Sequence, residues 1–353
     1  MKPLTASRLQ SPVSGPRFVP RRVLIIGPSN IGDAVLISPV VARVHRAYPS
    51  AHVTLLVGER ARAVFANDPR IRQVWVMEEW SGLAGRLRLL WAVWRLRPKV
   101  LIDLRQTILP LLWRPWRILR YVRPVPKTAT HMRQRHLWRL HTQEPRLKTG
   151  NSEAPLQSQA IWVSREDVAS VERLLVRWGV DPAKPLAVVC PGARSHIKRW
   201  PADRFAQVAD RLIARHQMEV VFSGEPDEIP IIQDILRSTQ HRAYNAAGSM
   251  TLPQLAALMQ RARLVLTNDS ASLHLACAVG APVLALFGPT DPRKYGPTGP
   301  RDRVLQRRLF CVPCEQALCR FTHECMRFLT SDEVYEAARQ LLDGASASRS
   351  AAI

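Results

Sequence analysis

The chain has 353 residues, of which 46% are hydrophobic and 22% are charged. These proportions are ordinary for a water-soluble protein, and the length predicts two domains that each bury a core. No run of about 18 apolar residues occurs, which argues against a membrane-spanning helix. With 51 Lys and Arg against 28 Asp and Glu, the net charge is +23. Such an excess predicts an acidic partner: a nucleic acid, an anionic membrane or a phosphorylated substrate.

The N-terminal residues lack the apolar core of a secretory signal peptide. Residues 1–20 and the tail 344–353 have the polar, small-residue composition of disordered ends. Six cysteines without a secretory signal are expected to be reduced or metal-bound and not paired in disulfides. We therefore expect a cytoplasmic protein.

Short apolar runs alternate with helix-length segments in the first part of the chain. The predicted strands are VLIIG (23–27), HVTLLV (52–57), VWVM (74–77) and VLIDL (100–104). Helices are predicted at 33–48 and near 60–66, and a long Arg-, Leu- and Trp-rich segment follows the third strand. Strands separated by helices indicate a parallel sheet of βαβ units.

The alternation restarts after a polar stretch at 141–160. The predicted strands are LAVVC (186–190), EVVFSG (219–224), LVLTN (264–268) and PVLALFG (282–288). Helices are predicted at about 203–215, up to about 238, at 252–262, over SLHLACAVG and at 331–343. The predicted fold class is therefore α/β, with two Rossmann-like domains at 21–165 and 166–343.

Polar residues are concentrated in TNDSASLH (267–274), directly after a predicted strand. In an open parallel sheet, ligands bind beyond the carboxyl ends of the strands. Asn268, Asp269 and Ser270 are helix-capping residue types, so one interpretation is a simple N-cap. The other is a phosphate site made by free N–H groups and the helix dipole, which His274 could also reach. Both interpretations use the same chemistry.

The first strand leads into GPSNIGD, with Gly27 and Gly32 spaced as in a nucleotide-binding P-loop. Asp33 occupies the position of the phosphate-binding lysine, and its carboxylate would repel phosphate. A carboxylate on such a loop suits a general base that accepts a proton from a hydroxyl. The alternative is a structural role, because Asp is favoured in the first turn of a helix.

Two further strand ends bear charged residues. Arg194, Lys198 and Arg199 follow the strand at 186–190, where they fit a pyrophosphate or form ordinary solvated surface charge. Glu225 follows the strand at 219–224, where it could bind ribose hydroxyls or cap the next helix.

Residues 84–146 hold fifteen Lys and Arg against two acids, together with Trp91, Trp94, Trp113, Trp116 and Trp138. This composition suits a surface that lies on an anionic leaflet or binds an acidic acceptor. The alternative is a solvated arginine face with the tryptophans in the core. No nucleic-acid-binding motif is present, so we expect no nucleic acid as partner.

FCVPCEQALCRFTHECM places Cys311, Cys314, Cys319 and Cys325 in one short loop with His323. Four thiols match the ligand number of structural zinc, although the spacing is tighter than in the usual two Cys pairs. The alternative is a reduced packing loop. Cys190 and Cys277 lie in apolar runs and are expected in the core.

Taken in order, three segments resemble glycosyltransferase family 9, the bacterial lipopolysaccharide heptosyltransferases. They are VLIIGPSNIGDAVLISPVVARVHRAYPSAHVTLLV, PGARSHIKRWP and TNDSASLHLACAVGAPVLALFGPTDP, and the likeness runs from about residue 22 to 342. The resemblance implies a GT-B fold, with two facing Rossmann-like domains and the active site between them. It also implies inverting transfer of heptose from ADP-heptose to a lipopolysaccharide inner-core acceptor. The expected place of action is the cytoplasmic face of the inner membrane, with the protein attached peripherally to its anionic surface.

The resemblance also implies roles for individual residues. Asp33 matches the proposed catalytic base, in a loop that contains Asn30 and Gly32 on the acceptor side. The donor-binding positions are matched by Lys198, Glu225, Asp269, Ser270, Ala271 and His274. Ala271 replaces a glycine that is usual in the family, and its Cβ would crowd a phosphate and disfavour positive φ. No metal or other cofactor is implied, because lysine and a helix dipole stabilise the leaving group.

Two alternatives stay open at this point. One keeps the fold but uses another nucleotide sugar for a cell-surface polysaccharide. The other, from a different class, is a non-catalytic module that binds nucleotide sugars or membranes. Intact Asp33, Lys198 and Asp269 favour an enzyme.

Overall fold

The structure is a computed structural model that describes residues 19–113, 118–148 and 161–350. The predicted disordered segment 1–20 therefore lies almost wholly outside the described residues, as does Trp116, whereas residues 344–350 of the predicted disordered tail belong to the last helix. None of the helices within the described ranges combines the length and apolar content needed to cross a bilayer.

The first sheet has four parallel strands in the order β3-β2-β1-β4. These strands are β1 (Arg22–Ile26), β2 (His52–Val57), β3 (Gln73–Val76) and β4 (Val100–Asp103). Central β1 is apolar on both sides because helices cover both faces of the sheet. Val23 and Ile25 pack into one core cluster, whereas Leu24 and Ile26 pack into another.

The helices of this first lobe include one long segment on each side of the sheet. They are α1 (Ile31–Ala47), α2 (Glu59–Arg62), α3 (Gly82–Leu96), α4 (Leu109–Trp113), α5 (Ile118–Val122) and α6 (Met132–Gln143). Gln143, which is buried in α6, exchanges two hydrogen bonds of 2.7 Å with the backbone of Asp103 in β4. These bonds attach α6 to the sheet. Its polar sequence gave no strong helix signal, and we did not predict α6.

The second sheet has six parallel strands in the order β10-β9-β8-β5-β6-β7. They are β5 (Leu186–Cys190), β6 (Glu219–Phe222), β7 (Tyr244–Asn245), β8 (Leu264–Asn268), β9 (Val283–Phe287) and β10 (Arg303–Gln306). The four predicted strands are confirmed. The two edge strands were missed, because β7 has only two residues and β10 is not continuously buried.

The helices of this second lobe match the predicted positions closely, apart from α7, α12 and α13. They are α7 (Arg165–Trp178), α8 (Ala202–His216), α9 (Ile229–Ser238), α10 (Leu252–Arg261), α11 (Ala271–Val279), α12 (Pro292–Tyr295), α13 (Glu324–Arg327) and α14 (Ser331–Ser350). The last helix does not end at 343 as predicted. A single Gly344 costs only about 1 kcal/mol in a helix, and the Ala- and Ser-containing sequence after it tolerates helical backbone.

The two lobes contact each other through α1 and α11. A Cβ placed on Gly32 in α1 would lie 3.0 Å from Cδ2 of His274 in α11. The predicted class, two Rossmann-like α/β lobes with parallel sheets, is thereby confirmed.

The strand order marks where a ligand can bind. All strands are parallel, but the order in which the chain adds them to each sheet changes direction. This change falls between β1 and β4 in the first lobe and between β5 and β8 in the second. Ligands of open parallel sheets bind beyond the carboxyl ends of the strands at such points. Asp33, Lys198 and Asp269 follow β1, β5 and β8, so all three lie at these points.

Candidate active site

A cavity of about 1020 Å³ lies between the two lobes. The first lobe contributes Asn30 and Asp33 to its wall, and the second contributes Lys198, Asp269 and His274. The tertiary structure therefore brings the predicted base and the predicted donor-binding turn to one cleft.

Asp33 lies in the first turn of α1, where burial raises the pKa of its carboxyl group. A 3.5 Å hydrogen bond from Nδ2 of Asn30 and the positive charge of Lys198 lower it in part. Asn30 is the N-cap residue but makes no capping bond with its side chain. Its Oδ1 instead accepts a 2.9 Å hydrogen bond from Arg194 of the other lobe. Asn30 thus contacts both the candidate base and the facing wall.

Lys198 forms an ion pair with Asp269, with 2.6 Å between Nζ and Oδ2. The Asp269 side chain is 5% exposed, whereas that of Lys198 is 30% exposed. The ammonium group therefore faces the cleft, and the buried carboxylate behind it sets its position. Asp269 serves the site by orienting Lys198, a role that the sequence alone did not distinguish from ligand contact.

Asn268, one of the polar residues at 267–274, has a structural role. It is fully buried, donates a 2.7 Å hydrogen bond to the Pro191 carbonyl and accepts one of 3.3 Å from the Trp200 N–H. These bonds connect the loop after β5 to the end of β8. Asn268 is thus a structural residue that places Lys198 beside Asp269.

Ser270 immediately precedes α11 but does not cap it with its side chain. Its hydroxyl lies 3.3 Å from that of Thr267. The first N–H groups of α11 thus have no acceptor from this N-cap side chain, which leaves a helix N-terminus available to an anion. The structure therefore does not show the first interpretation of this turn for Ser270, which was side-chain capping of the helix.

Ala271 is the first residue of α11, and its backbone does not adopt positive φ. The expected backbone strain of Ala at this position is therefore absent, because a helical conformation accommodates a Cβ. Ala271 borders the cleft beside Ser270.

His274 also lines the cleft, and burial lowers its pKa to about 4. The imidazole is neutral near pH 7, so it can donate a hydrogen bond to an anion but cannot add a positive charge. Its ring also packs against Gly32, which makes it part of the contact between the lobes.

Glu225 pairs with Arg60 across the mouth of the cleft, with 2.9 Å between Nη2 and Oε2. Both side chains are about half exposed. Arg60 was missed in the sequence, although it follows the end of β2 at the carboxyl edge of its sheet. Glu225 lines both the large cleft and a second cavity.

The second cavity has a volume of about 700 Å³ and adjoins the turn at Ser270. Its surface is mainly apolar, and Gly192, Gly224, Gly248, Met250 and Leu252 are among the residues that line it, together with the acids Glu225 and Glu228. A Cβ on Gly192 would overlap the carboxylate of Glu228, so a larger residue there would displace that side chain. A mainly apolar cavity beside an uncapped helix N-terminus suits the flat base of a nucleotide. The sequence did not indicate it, because its walls come from seven segments that lie far apart in the chain.

Lys294 and Tyr295 border the cleft after β9, and both were missed. The Lys294 ammonium pairs with Glu315 at 2.6 Å. Their position directly after a strand was the available signal, but the motif TDPRKYG has no distinctive spacing.

The cysteine loop lines a separate cavity of about 400 Å³, together with Phe310 and Leu318. Within the described ranges, no three His, Cys, Asp or Glu side chains converge in an arrangement that could hold a metal. Cys311, Cys314 and Cys319 are partly buried and Cys325 is buried, as expected of a packing loop. Cys190 is buried in the core, and Cys277 is partly buried against it.

Two Rossmann-like lobes that face each other across a cleft, with a carboxylate on one wall and a lysine on the other, have the arrangement of the GT-B fold. The profile of glycosyltransferase family 9 (heptosyltransferase) matches residues 115–324. The chain belongs to this family and is a glycosyltransferase.

Individual proteins agree with this assignment. Lipooligosaccharide heptosyltransferase 2 of Haemophilus influenzae is 23% identical over 306 residues, covering 80% of this chain and 88% of the relative. A family 9 glycosyltransferase structure from Veillonella parvula superposes with a TM-score of 0.74 at 21% identity, covering 91% and 97% of the two chains. The Escherichia coli ADP-heptose lipopolysaccharide heptosyltransferase II superposes with a TM-score of 0.73 at 22% identity, covering 92% and 99%. These superpositions confirm the GT-B fold.

Proposed function

We propose that this glycosyltransferase transfers heptose from ADP-heptose to an inner-core acceptor of lipopolysaccharide, with inversion. The observation that supports it most directly is the position of Asp33 opposite Lys198 and Ser270 in one cleft. The donor and the acceptor class follow the names of the related heptosyltransferases. In this proposal residues 21–165 bind the acceptor and residues 166–343 bind the donor.

In the proposed reaction, Asp33 removes the proton from the acceptor hydroxyl as the oxygen attacks the anomeric carbon of the heptose. The bond from that carbon to the β-phosphate oxygen breaks, and its electron pair leaves with ADP. Attack opposite the leaving group inverts the anomeric configuration. A carboxylate whose pKa is raised by burial is a stronger base than a solvated one, which suits this role.

Negative charge develops on the departing diphosphate and must be stabilised. Lys198 provides a positive charge in a fixed position, because Asp269 holds it from behind. The uncapped N-terminus of α11 supplies N–H donors and a helix dipole beside it. His274 adds a neutral N–H donor one turn further on.

The nucleoside would occupy the second cavity, which shares Ser270 and Ala271 with the large cleft. Glu225 would accept hydrogen bonds from the ribose hydroxyls, in exchange for its bond to Arg60. Arg60 borders the cleft on the acceptor side, with Arg194 and Lys294 on the facing wall, and these cations suit the phosphates of an inner core. The proposed location is the cytoplasmic face of the inner membrane.

The central experiment measures turnover of ADP-heptose by Asp33→Asn. We expect a loss of about 10²- to 10⁴-fold, as for removal of a general base, with donor affinity retained. Asp203→Asn is the matched control, because Asp203 also lies in the first turn of a helix after a strand but is outside the cleft. Near wild-type turnover in Asp33→Asn would exclude Asp33 as the base.

The donor is tested separately by thermal shift with a panel of nucleotide sugars, since a ligand of the folded state raises its stability. We expect ADP-heptose to give the largest shift. A larger shift with a different nucleotide sugar would replace heptose in the proposal.

A further inference from the structure

Helix α3 presents an apolar stripe to solvent. Leu83, Leu87, Trp91 and Trp94 are 78%, 60%, 57% and 56% exposed. Their spacing of four, four and three residues places them on one side of the helix. The opposite side packs on the sheet, where Val93 is buried. The helix therefore has an apolar side in the core and a second apolar side that nothing in the described chain covers.

The short helices α4 and α5 extend this surface. Val93 of α3, Leu109 of α4 and Tyr121 of α5 belong to one core cluster, so the three helices cover the same side of the first sheet. The outward side chains of these helices and of Ile108, directly before α4, are also apolar: Ile108, Leu111, Leu112, Leu119 and Val122 are between 45% and 78% exposed. Nine of the seventeen large apolar side chains exposed in the described ranges thus lie between 83 and 122.

The same surface is strongly basic. Between Glu79 and Glu144 the sequence has fourteen Lys and Arg and one acid, Asp103, which is buried. The exposed basic residues around the stripe include Arg86, Arg88, Arg95, Arg97, Arg105, Arg120 and Arg123. Two of them stack on its tryptophans, with Arg95 5.4 Å above Trp91 and Arg97 5.3 Å above Trp94. We call this surface, formed by α3, α4 and α5, the basic apolar face.

We propose that the basic apolar face docks on an anionic lipid bilayer. The choice of this partner rests on the proposed function. Leucine and tryptophan side chains enter the interface between headgroups and acyl chains, and the arginines around them pair with lipid phosphates. A second copy of the chain docked through the same face would fit poorly. It would bring two sets of arginines together, with no exposed acid in the segment to pair with them.

The face adjoins the acceptor side of the cleft. Arg105 follows β4 and donates a 2.7 Å hydrogen bond from Nη1 to the Ser29 hydroxyl. Ser29 lies in the loop that leads to Asp33. Docking through α3–α5 would therefore hold the candidate base close to the headgroup layer, where a membrane-anchored acceptor displays its sugars.

Co-sedimentation with phosphatidylglycerol–phosphatidylcholine vesicles tests the proposal. Two double variants remove different features of the face: Leu87→Gln with Trp91→Gln, and Arg86→Gln with Arg88→Gln. The matched controls change exposed residues of α7 in the other lobe: Val168→Gln with Val176→Gln, and Arg165→Gln with Arg177→Gln. All replaced side chains are exposed, so the fold should persist, and melting temperatures verify this.

We expect the wild type to bind anionic vesicles at low salt and to dissociate as salt screens the charges. Removal of two arginines should weaken partitioning by about 25-fold, at about fivefold per charge. The apolar double variant should lose binding as well, whereas both controls should bind like the wild type. Equal loss in face and control variants would show non-specific attraction to net charge and overturn the proposal. The proposal would also be overturned if the wild type did not bind vesicles but formed a dimer that the face variants dissociate.

Turnover with a water-soluble acceptor fragment that lacks acyl chains separates this proposal from the proposed function. Face variants should keep wild-type turnover on the fragment. Transfer without vesicle binding would overturn the docking proposal alone. Vesicle binding without heptose transfer would overturn the proposed function and leave the docking surface standing.

Discussion

Gly32 in the first turn of α1 packs directly against the imidazole of His274 in α11. A Cβ on Gly32 would lie 3.0 Å from Cδ2 of His274 and 3.7 Å from Cα of Ala271. The loop with the candidate base and the helix with the candidate phosphate site therefore meet at a residue without a side chain. This contact sets the distance between the two halves of the site.

A larger side chain at this contact should separate the lobes. We expect Gly32→Val to lower kcat/KM by about 100-fold, since a displacement near 1 Å can cost that much. Gly344→Val is the control, because nothing lies within 4 Å of a Cβ at that helical position. An unchanged kcat/KM in Gly32→Val would show that the contact does not control the reaction.

Removal of Lys198 should affect both the donor and the fold. Lys198→Ala should weaken ADP binding by about 10- to 100-fold, the value of a charge-assisted hydrogen bond. It should also lower the free energy of unfolding by about 2 kcal/mol, because the buried Asp269 carboxylate loses its cation. Isothermal titration with ADP and urea unfolding measure the two effects.

The double variant Lys198→Ala with Asp269→Asn distinguishes these two contributions. It should recover much of the lost stability, since no unpaired charge remains buried, but it should not recover ADP affinity. Recovery of ADP binding would mean that Lys198 does not contact the diphosphate.

The pH dependence of turnover should report the environment of Asp33. The base acts when deprotonated, so kcat/KM should rise with pH through its raised pKa and then level off. Asn30→Ala removes a hydrogen bond that favours the carboxylate and should move the acid limb to higher pH. Arg194→Ala removes the bond from the other lobe to Asn30 but not the one to Asp33. An acid limb that moves equally in both variants would contradict this assignment.

A buried histidine should make the fold sensitive to acid. His136 in α6 is 4% exposed, and within the described chain neither ring nitrogen has a hydrogen-bond partner. Burial and neighbouring arginines lower its pKa to about 4. Between pH 6.5 and 4 the unfolded chain binds this proton and the folded chain does not, so stability falls as pH falls. The loss approaches about 3 kcal/mol for the full shift.

His136→Leu should therefore reduce the difference in unfolding free energy between pH 7 and pH 5, as measured by urea titration. His52→Leu changes an exposed histidine and serves as the control. If both variants keep the wild-type difference, His136 does not cause the acid sensitivity.

The sequence by itself determined the alternation of strands and helices and the candidate residues at the strand ends. Long apolar runs such as 23–27 and 186–190 are buried on both faces of their sheets, so the local sequence pattern was sufficient to predict these strands. Asp33, Lys198 and Asp269 could be selected because parallel sheets place their loops at one edge. Short β7, half-exposed β10 and polar α6 lack such a pattern and were missed.

Only the tertiary structure decided which of these groups meet and in what charge state. The partners Lys198 and Asp269 are 71 residues apart in the chain, and Arg60 and Glu225 are 165 apart. Burial lowers the pKa of His274, and solvent exposure of Trp91 and Trp94 overturns the alternative of core packing for these two tryptophans. Pairing and burial depend on residues distant in sequence, and a pattern of neighbouring residues contains no information about them.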